Sequence, residues 1–396
     1  MKRILIIAAG FLQTFLIQKA KALGYYVIAI DGNPNAEGFK YADESACVDI
    51  TSPEECIKYA RKKDIDGVLT AASDYGVIAA SEVAKALNLP GIEPKVARLI
   101  KNKYLVRKCL LANHVDDTEQ AFEVNEETCI DELSQSLNYP VLVKPCDGSG
   151  SRGISRVDVP DQLKRACEYA IRGSLTHKAE IETFIVGQEY GVESFVLNGN
   201  PHIMGIMKKW MTSAPHYAEL GHAIPSLLMP EIESRVRECV TKALYALGVN
   251  FGSVNMDVLV TADGHVHIVD IGARMGGNLI GSHIIPIGTG IDYMAVILRA
   301  AVGEPVDFCC KPAYPVATKL LALTPGKVVS LPNFEFIKKK YDAIIEHHLA
   351  IGDVIMSYKT NLDGCGYIVV KDDDVLHAEK RAAEILKVID NSIIRE

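Results

Sequence analysis

The 396-residue sequence is short of the features that mark whole classes of protein. No stretch approaches the roughly 18 uninterrupted apolar residues of a membrane span, so no membrane partner is expected. The longest basic cluster is Lys338-Lys339-Lys340 and the formal net charge is −8, which leaves no electrostatic footprint for nucleic acid. Ten cysteines are scattered without a C-x-x-C pair, arguing against a disulfide framework and against a thiolate zinc site. Internal repeats and low-complexity tracts are absent. The opening MKRILIIAAGFLQ has a basic start and an apolar core, but that core is short and no A-x-A site follows it. It reads as a strand, and the protein as cytoplasmic.

What is present is an ordinary globular composition, 48% hydrophobic and 23% charged, in a chain long enough for two or three domains. The first hundred residues alternate RILIIAA, a helix from about Phe11 to Leu23, YYVIAI, a helix from about Pro53 to Lys63, DGVLTA and a helix from about Tyr75 to Leu87. That rhythm predicts a parallel sheet covered by helices. Gly10 and Asp31 fall at carboxyl ends of its strands, where open α/β sheets bind ligands, although AAGFLQ lacks a dinucleotide fingerprint. IEPKVARLIKNKYLVRKCLLANHV predicts two short helices joined near Asn102, with a boundary near residue 116.

From there to about Ile185 the pattern is helix, strand, glycine loop, strand, helix, strand. Asn198-Gly199 marks a hairpin over 189–208, a helix follows from about Pro230 to Leu247, and SVNMDVLV-TADG-HVHIVDI predicts a second hairpin. After an apolar helix from about Ile291 to Val302, strands around 316–322, 343–347 and 366–371 and a helix from about Val375 to Ile389 make a C-terminal α+β segment.

PVLVKPCDGSGSRGI contains a literal G-x-G-x-x-G at Gly148, Gly150 and Gly153. A dinucleotide loop would open a helix after its third glycine, whereas ISRVDVP is β-branched and runs into proline. A Walker loop carries lysine after its last glycine, whereas Lys144 precedes all three. A hairpin remains, its tip able to fold over phosphates with backbone N–H groups, beside a lysine that an apolar strand would hold only for an anion. Cys146 reads as a small buried residue after the strand rather than a nucleophile. In EIETFIVGQEYGVES, Glu182 and Glu189 flank a strand edge that suits adenine and ribose.

If TADG is a tight turn, Asp257 faces Ile268 and Asn255 faces Asp270, so Asp257 and Asp270 become diagonal neighbours on one face. Two carboxylates at that reach call for a bridging cation, and hard oxygen ligands suit magnesium. Arg274 follows four residues later, a two-pronged cation for phosphoryl or carboxylate oxygens, ahead of Gly276-Gly277-Asn278.

In this order, Lys103, Lys144, the 147–154 loop, Glu182, Glu189, the acid hairpin and Arg274 resemble the ATP-grasp superfamily of carboxylate–amine ligases. The resemblance implies mixed α/β and α+β architecture. Its parts are a pre-ATP-grasp parallel-sheet domain (1–100), a connecting helix (101–115), a lid (116–185), a central antiparallel catalytic domain (186–305) and a C-terminal α+β subdomain (306–396). It further implies ATP and magnesium, or manganese in its place, with small-molecule carboxylate and amine substrates and a homodimer. Lys103 and Lys144 match the phosphate lysines, Ser149, Gly150 and Ser151 the lid loop, and Glu182 with Phe184 and Ile185 the adenine hinge. Glu189 matches the ribose acid, Asp257 and Asp270 the metal ligands, and Arg274 the clamp on phosphate and intermediate. The metal ligands are usually glutamate, and Gly272 stands where the family often has asparagine. Glu219-Leu-Gly-His222, with Lys209 ten residues before Glu219, looks like the E-x-G-H stretch of bacterial L-amino acid ligases. That likeness gives Glu219, His222, Arg274, Gly277 and Asn278 to substrate, and counts Lys209 and His222 with Arg274 as catalytic. The expected activity is amide or peptide bond formation through an acyl phosphate, releasing ADP and phosphate. The alternatives are a purine-biosynthetic or carboxyphosphate-forming enzyme of the same fold, and a non-catalytic nucleotide sensor.

Overall fold

The computed structural model describes residues 1–396 apart from Asp117, Glu119, Ser149, Ser151, Pro215 and Cys310. Four parallel strands open the chain, in the spatial order Glu44–Cys47, Tyr26–Asp31, Arg3–Ile7, Gly67–Thr70. Side chains alternate between the faces, so Leu5, Ile7, Ile28 and Ile30 pack under the helices Pro53–Ala60 and Val77–Ala86. Ile4, Ile6, Val27 and Ala29 pack on the other face with Leu16 and Ile17 of the helix Phe11–Ala22 and with Val296 and Ile297 of the helix Tyr293–Ala301. Apolar runs such as RILII are what a sheet buried on both faces requires. The edge strand Glu44–Cys47 has no such signature, because ESAC is polar and half exposed.

Helices Pro94–Lys101 and Lys103–Ala112 meet at Asn102, whose Oδ1 accepts the Leu105 N–H at 3.0 Å as an N-cap. Next comes an antiparallel sheet in the order Ala121–Val124, Ala179–Thr183, Val141–Pro145, Ser155–Val157, covered by the helix Leu163–Arg172. Its first strand is one more than the sequence pattern indicates. The glycine loop is the tip of the hairpin that pairs Val143 with Ser155. At Gly153, φ is +75° and a Cβ would stand 2.6 Å from Pro145 Cγ, so only glycine fits the turn. The expectations for Ser149 and Ser151 lie outside the described residues.

Eight antiparallel strands form the central sheet, in the order Val266–Gly272, Gly252–Val260, Gln188–Leu197, Asn200–Met211, Glu219–Ile224, Val316–Leu320, Gly366–Lys371, Ile344–His347. Three of these strands come from beyond residue 305, so the C-terminal segment continues the central sheet. Asn198 and Gly199 take φ of 51° and 77° in a two-residue turn between Leu197 and Asn200.

The acid hairpin departs from the register expected of a TADG turn. Val260 pairs with Val266 and Val258 with Ile268; one residue is then inserted, and Asp257 pairs directly with Asp270. Val269 is the inserted residue of a β-bulge. The Thr261 N–H donates to the His265 carbonyl at 3.0 Å, which makes the loop longer than TADG. The longer loop shifts the register by one, and the bulge returns the two aspartates to a common face.

Candidate active site

A cavity of about 920 Å³ opens where the parallel sheet, the lid and the central sheet meet. Asp257 and Asp270 both line it, each held by a different lysine. Asp257 Oδ1 lies 2.8 Å from Lys209 Nζ, while Asp270 Oδ1 accepts from Lys103 Nζ. Lys209 is 1% exposed and also meets Glu219 at 2.9 Å and Glu189 at 3.5 Å. Burial works against its charge, but three acids outweigh burial and hold the ammonium well above its ordinary range.

Lys144 is buried on the lid side, donating to Glu182 Oε1 at 2.6 Å and to the Val269 carbonyl at 3.1 Å. Val269 is the bulge residue, so the insertion that aligns the aspartates also turns a carbonyl toward Lys144. The other Glu182 oxygen receives the Arg107 guanidinium, with Nε at 3.1 Å and Nη2 at 3.0 Å. The carboxylate expected at the adenine hinge is therefore engaged by two cations. Phe184, Ile185 and Glu189 follow along the cavity wall, as do Gly148 and Gly150 of the lid loop. Arg156 stands 4.5 Å from the Phe184 ring centre, and Arg152 donates to the Tyr75 hydroxyl at 2.8 Å, joining lid loop to parallel-sheet domain.

Residues 137–282 match the ATP-grasp domain family. The fold is of the ATP-grasp type. The L-amino acid ligase of Bacillus licheniformis superposes with a TM-score of 0.84 at 22% identity, over 100% of this chain and 99% of that one. Phosphoribosylglycinamide synthetase of Anaerococcus prevotii gives 0.78 at 24%, again over 100% and 99%. In sequence, dapdiamide A synthase of Enterobacter agglomerans is 23% identical over 313 residues, 73% of this chain and 70% of its own length. Alignments to two further curated relatives take in 61% and 47% of their lengths, so the chain spans about half of those proteins.

Opposite the lid of this ATP-grasp fold, Arg274 meets Asp74 with Nε at 2.9 Å and Nη2 at 3.3 Å. Asp74 belongs to the loop after the strand Gly67–Thr70, and a bridge between Ala71 and Met275 locks that loop to the Arg274 segment. Glu193, fully buried, accepts the Gly276 N–H at 3.2 Å, the Asn255 amide at 3.0 Å and the Tyr293 hydroxyl at 2.8 Å. Burial pushes its carboxyl up to about 7. This anchoring sets Gly277 and Asn278 in the wall, where Asn278 Nδ2 donates to Glu219 and Oδ1 accepts from Tyr367 at 3.0 Å. Burial would raise the Glu219 carboxyl, but Lys209 first, and the Asn278 amide, bring it down to about 2. Gly10 and Asp31 also reach the cavity, as their strand-end positions imply.

His222 lies apart from the other expected substrate residues. It pairs with Lys209 across neighbouring strands, is 1% exposed, and does not line the cavity. Its Nε2 lies 3.9 Å from Glu219, and burial pushes the imidazole down to about 4. It packs beside the acid–lysine cluster, one layer behind the side chains that line the cavity. Cys146 is fully buried, and burial pushes its thiol up to about 12, which fits a packing residue.

Arg107, Asp74, Asp116 and Glu193 escaped the sequence reading. Only Arg107 carried a signal: it stands four residues after Lys103, on the same helix face. Among the described residues no cluster of three His, Cys, Asp or Glu side chains forms a cation cage. The chain thus offers two facing carboxylates, and that donor set fits magnesium, which completes its shell with phosphate oxygens and water. Asn255, across the ladder from Gly272, has its amide committed to Glu193. Among the described residues no helix is long and apolar enough to cross a membrane.

Proposed function

We propose that the protein is an ADP-forming ATP-grasp ligase that phosphorylates a small-molecule carboxylate and joins it to an amine, amino-acid-like compounds being the preferred substrates. The observation that carries this reading is the direct pairing of Asp257 with Asp270 in one cleft that also holds Lys103, Lys144, Arg274 and the glycine hairpin. Magnesium, or manganese, held by the two aspartates would draw charge from the transferred phosphoryl group. Lys103 and Lys144 bind the phosphate chain, and the backbone around Gly148 and Gly150 covers it. The hinge at Phe184 and Ile185 receives adenine, and Glu189 takes a ribose hydroxyl.

Arg274, held side-on by Asp74, directs its remaining donors at the substrate carboxylate and then at the acyl phosphate. Electrostatic stabilisation of that kind is the main lever in phosphoryl transfer. Lys209 acts from behind, holding Asp257, Glu189 and Glu219 in place. Glu219 and Asn278 face the amine. The ligase names among the similar proteins support this choice, as does the pocket built from Glu219, Asn278 and Gly277.

A second reading, a purine-pathway or carboxyphosphate-forming enzyme, draws support from the full-length likeness to phosphoribosylglycinamide synthetase. The test is to incubate the protein with MgATP and pooled amino acids, with and without hydroxylamine. ADP, phosphate, a new amide by mass spectrometry and a trapped hydroxamate are expected. Turnover that needs bicarbonate or a phosphoribosyl amine would favour the second reading, and AMP with pyrophosphate would exclude both.

A further inference from the structure

We infer that Arg107 is a positioning residue for nucleotide binding: it neutralises Glu182 so that Lys144 is free to leave that carboxylate for the incoming phosphates. The inference rests on the reading of Lys144 as a phosphate lysine. It starts from a buried charge balance. Glu180 and Glu182 are 0% and 5% exposed, Lys144 and Arg107 are 3% and 5% exposed, and the four side chains form one cluster. Glu182 is the shared member, with Oε1 on Lys144 at 2.6 Å and Oε2 on Arg107. Glu180 lies 3.6 Å from Lys144. If Lys144 moved to a phosphate with no Arg107 present, two buried carboxylates would be left without a cation. Uncompensated charge in such surroundings is strongly unfavourable.

Arg107 suits this task because it does not travel. Its Nη1 meets Asp116 Oδ2 at 2.8 Å and its Nη2 donates to the Ile268 carbonyl at 2.5 Å. Asp116 in turn accepts the Ile268 N–H at 3.0 Å and contacts His267 Nδ1 at 3.3 Å. The guanidinium is thereby fixed to the strand that carries Asp270. A planar fork bonded to two acids and a carbonyl stays charged and stays put, whereas the single ammonium of Lys144 is free to exchange partners. Lys103 and Arg107, four residues apart on one helix, address the same strand: Lys103 at the Asp270 side chain, Arg107 one turn on at the Ile268 carbonyl. Between them the bulge carbonyl of Val269 holds Lys144.

The test is ATP binding, measured by calorimetry with magnesium and no second substrate, for wild type, Arg107→Met, Glu180→Gln and the double variant, each with a thermal melt; Glu180 belongs to the buried cluster but does not line the cavity. Arg107→Met is expected to weaken ATP at least tenfold, because Lys144 becomes the sole cation of two acids. The double variant, with one acid fewer, is expected to return to within threefold of wild type. A merely structural arginine would lower the melting temperature without that rescue. Should Arg107→Met fail to fold, Arg107→Lys in the same titration is expected to lose about threefold, again recovered by Glu180→Gln. Unchanged affinity in the arginine variants, or a double variant as weak as the single, would overturn the inference alone. A wild-type protein that binds no ATP would overturn the reading of the site, and the inference with it.

Discussion

Asp257 and Asp270 stand opposite one another on neighbouring strands, chemically identical and equally engaged by a lysine, yet their surroundings differ in sign. Asp257 is pushed up to about 6, by burial first and by Glu219 and Glu189, with Lys209 opposing. Asp270 is also pushed up by burial, but Lys103 and Lys144 pull its carboxyl below the ordinary range. One aspartate belongs to an acidic cluster stitched by a single lysine, the other to a cationic wall. The same side chain at the same height in a sheet is thus set to different work by its neighbours, an asymmetry that spacing alone does not carry.

The strongest way to break this comparison is to neutralise each acid in turn. Asp270→Asn is expected to lower kcat for ADP formation by about 10³-fold and Asp257→Asn by about 10²-fold, the range for loss of one transition-state charge contact. Equal losses would remove the functional side of the contrast. The lysines should separate in stability. Lys209→Met leaves Asp257, Glu189 and Glu219 without their cation and should cost about 3–5 kcal/mol in urea unfolding. Lys103→Met leaves Asp270 its second cation, Lys144, and should cost less, about 2 kcal/mol.

His222 sharpens the acidic side. Its imidazole is held down at about 4 in the fold against about 6.5 when unfolded. The unfolded chain therefore takes up the proton first, and stability should fall as pH drops from about 6.5 to about 4, by at most about 1.4 kcal/mol per pH unit. Melts of His222→Gln against wild type across that window should show the difference shrinking as the pH drops, and a difference independent of pH would contradict a neutral buried ring. Smallest of all, Tyr367→Phe removes one hydrogen bond to Asn278, worth about 1 kcal/mol, and should raise KM for the amine about fivefold with kcat unchanged.

Much of this was legible from local pattern. The Asn198-Gly199 hairpin, the break at Asn102 and the strand–lysine–glycine hairpin are decided by residues next to one another, and short-range sterics are what a sequence displays. The aspartate pair was half legible. Its residues and common face were readable, but HVHIVDIG contains no glycine or proline ahead of the bulge at Val269, so the extra residue left no mark. The partners of Arg107 and Arg274 were invisible for another reason: Glu182, Ile268 and Asp74 lie 75, 161 and 200 residues away, and only tertiary packing selects them. The depth of His222 was invisible too, because E-x-G-H spacing carries no sense of depth, and the fold sets the ring behind the wall.

The continuity of the central sheet across residue 305 bears on how this protein could be trimmed or recombined. Glu219–Ile224 is flanked by Val316–Leu320, which is flanked in turn by Gly366–Lys371. Cutting the chain at 305 would uncover a row of unpaired N–H and C=O groups on the very strand that bears Glu219, and bare edges recruit other chains. Shortened versions should precipitate rather than work slowly.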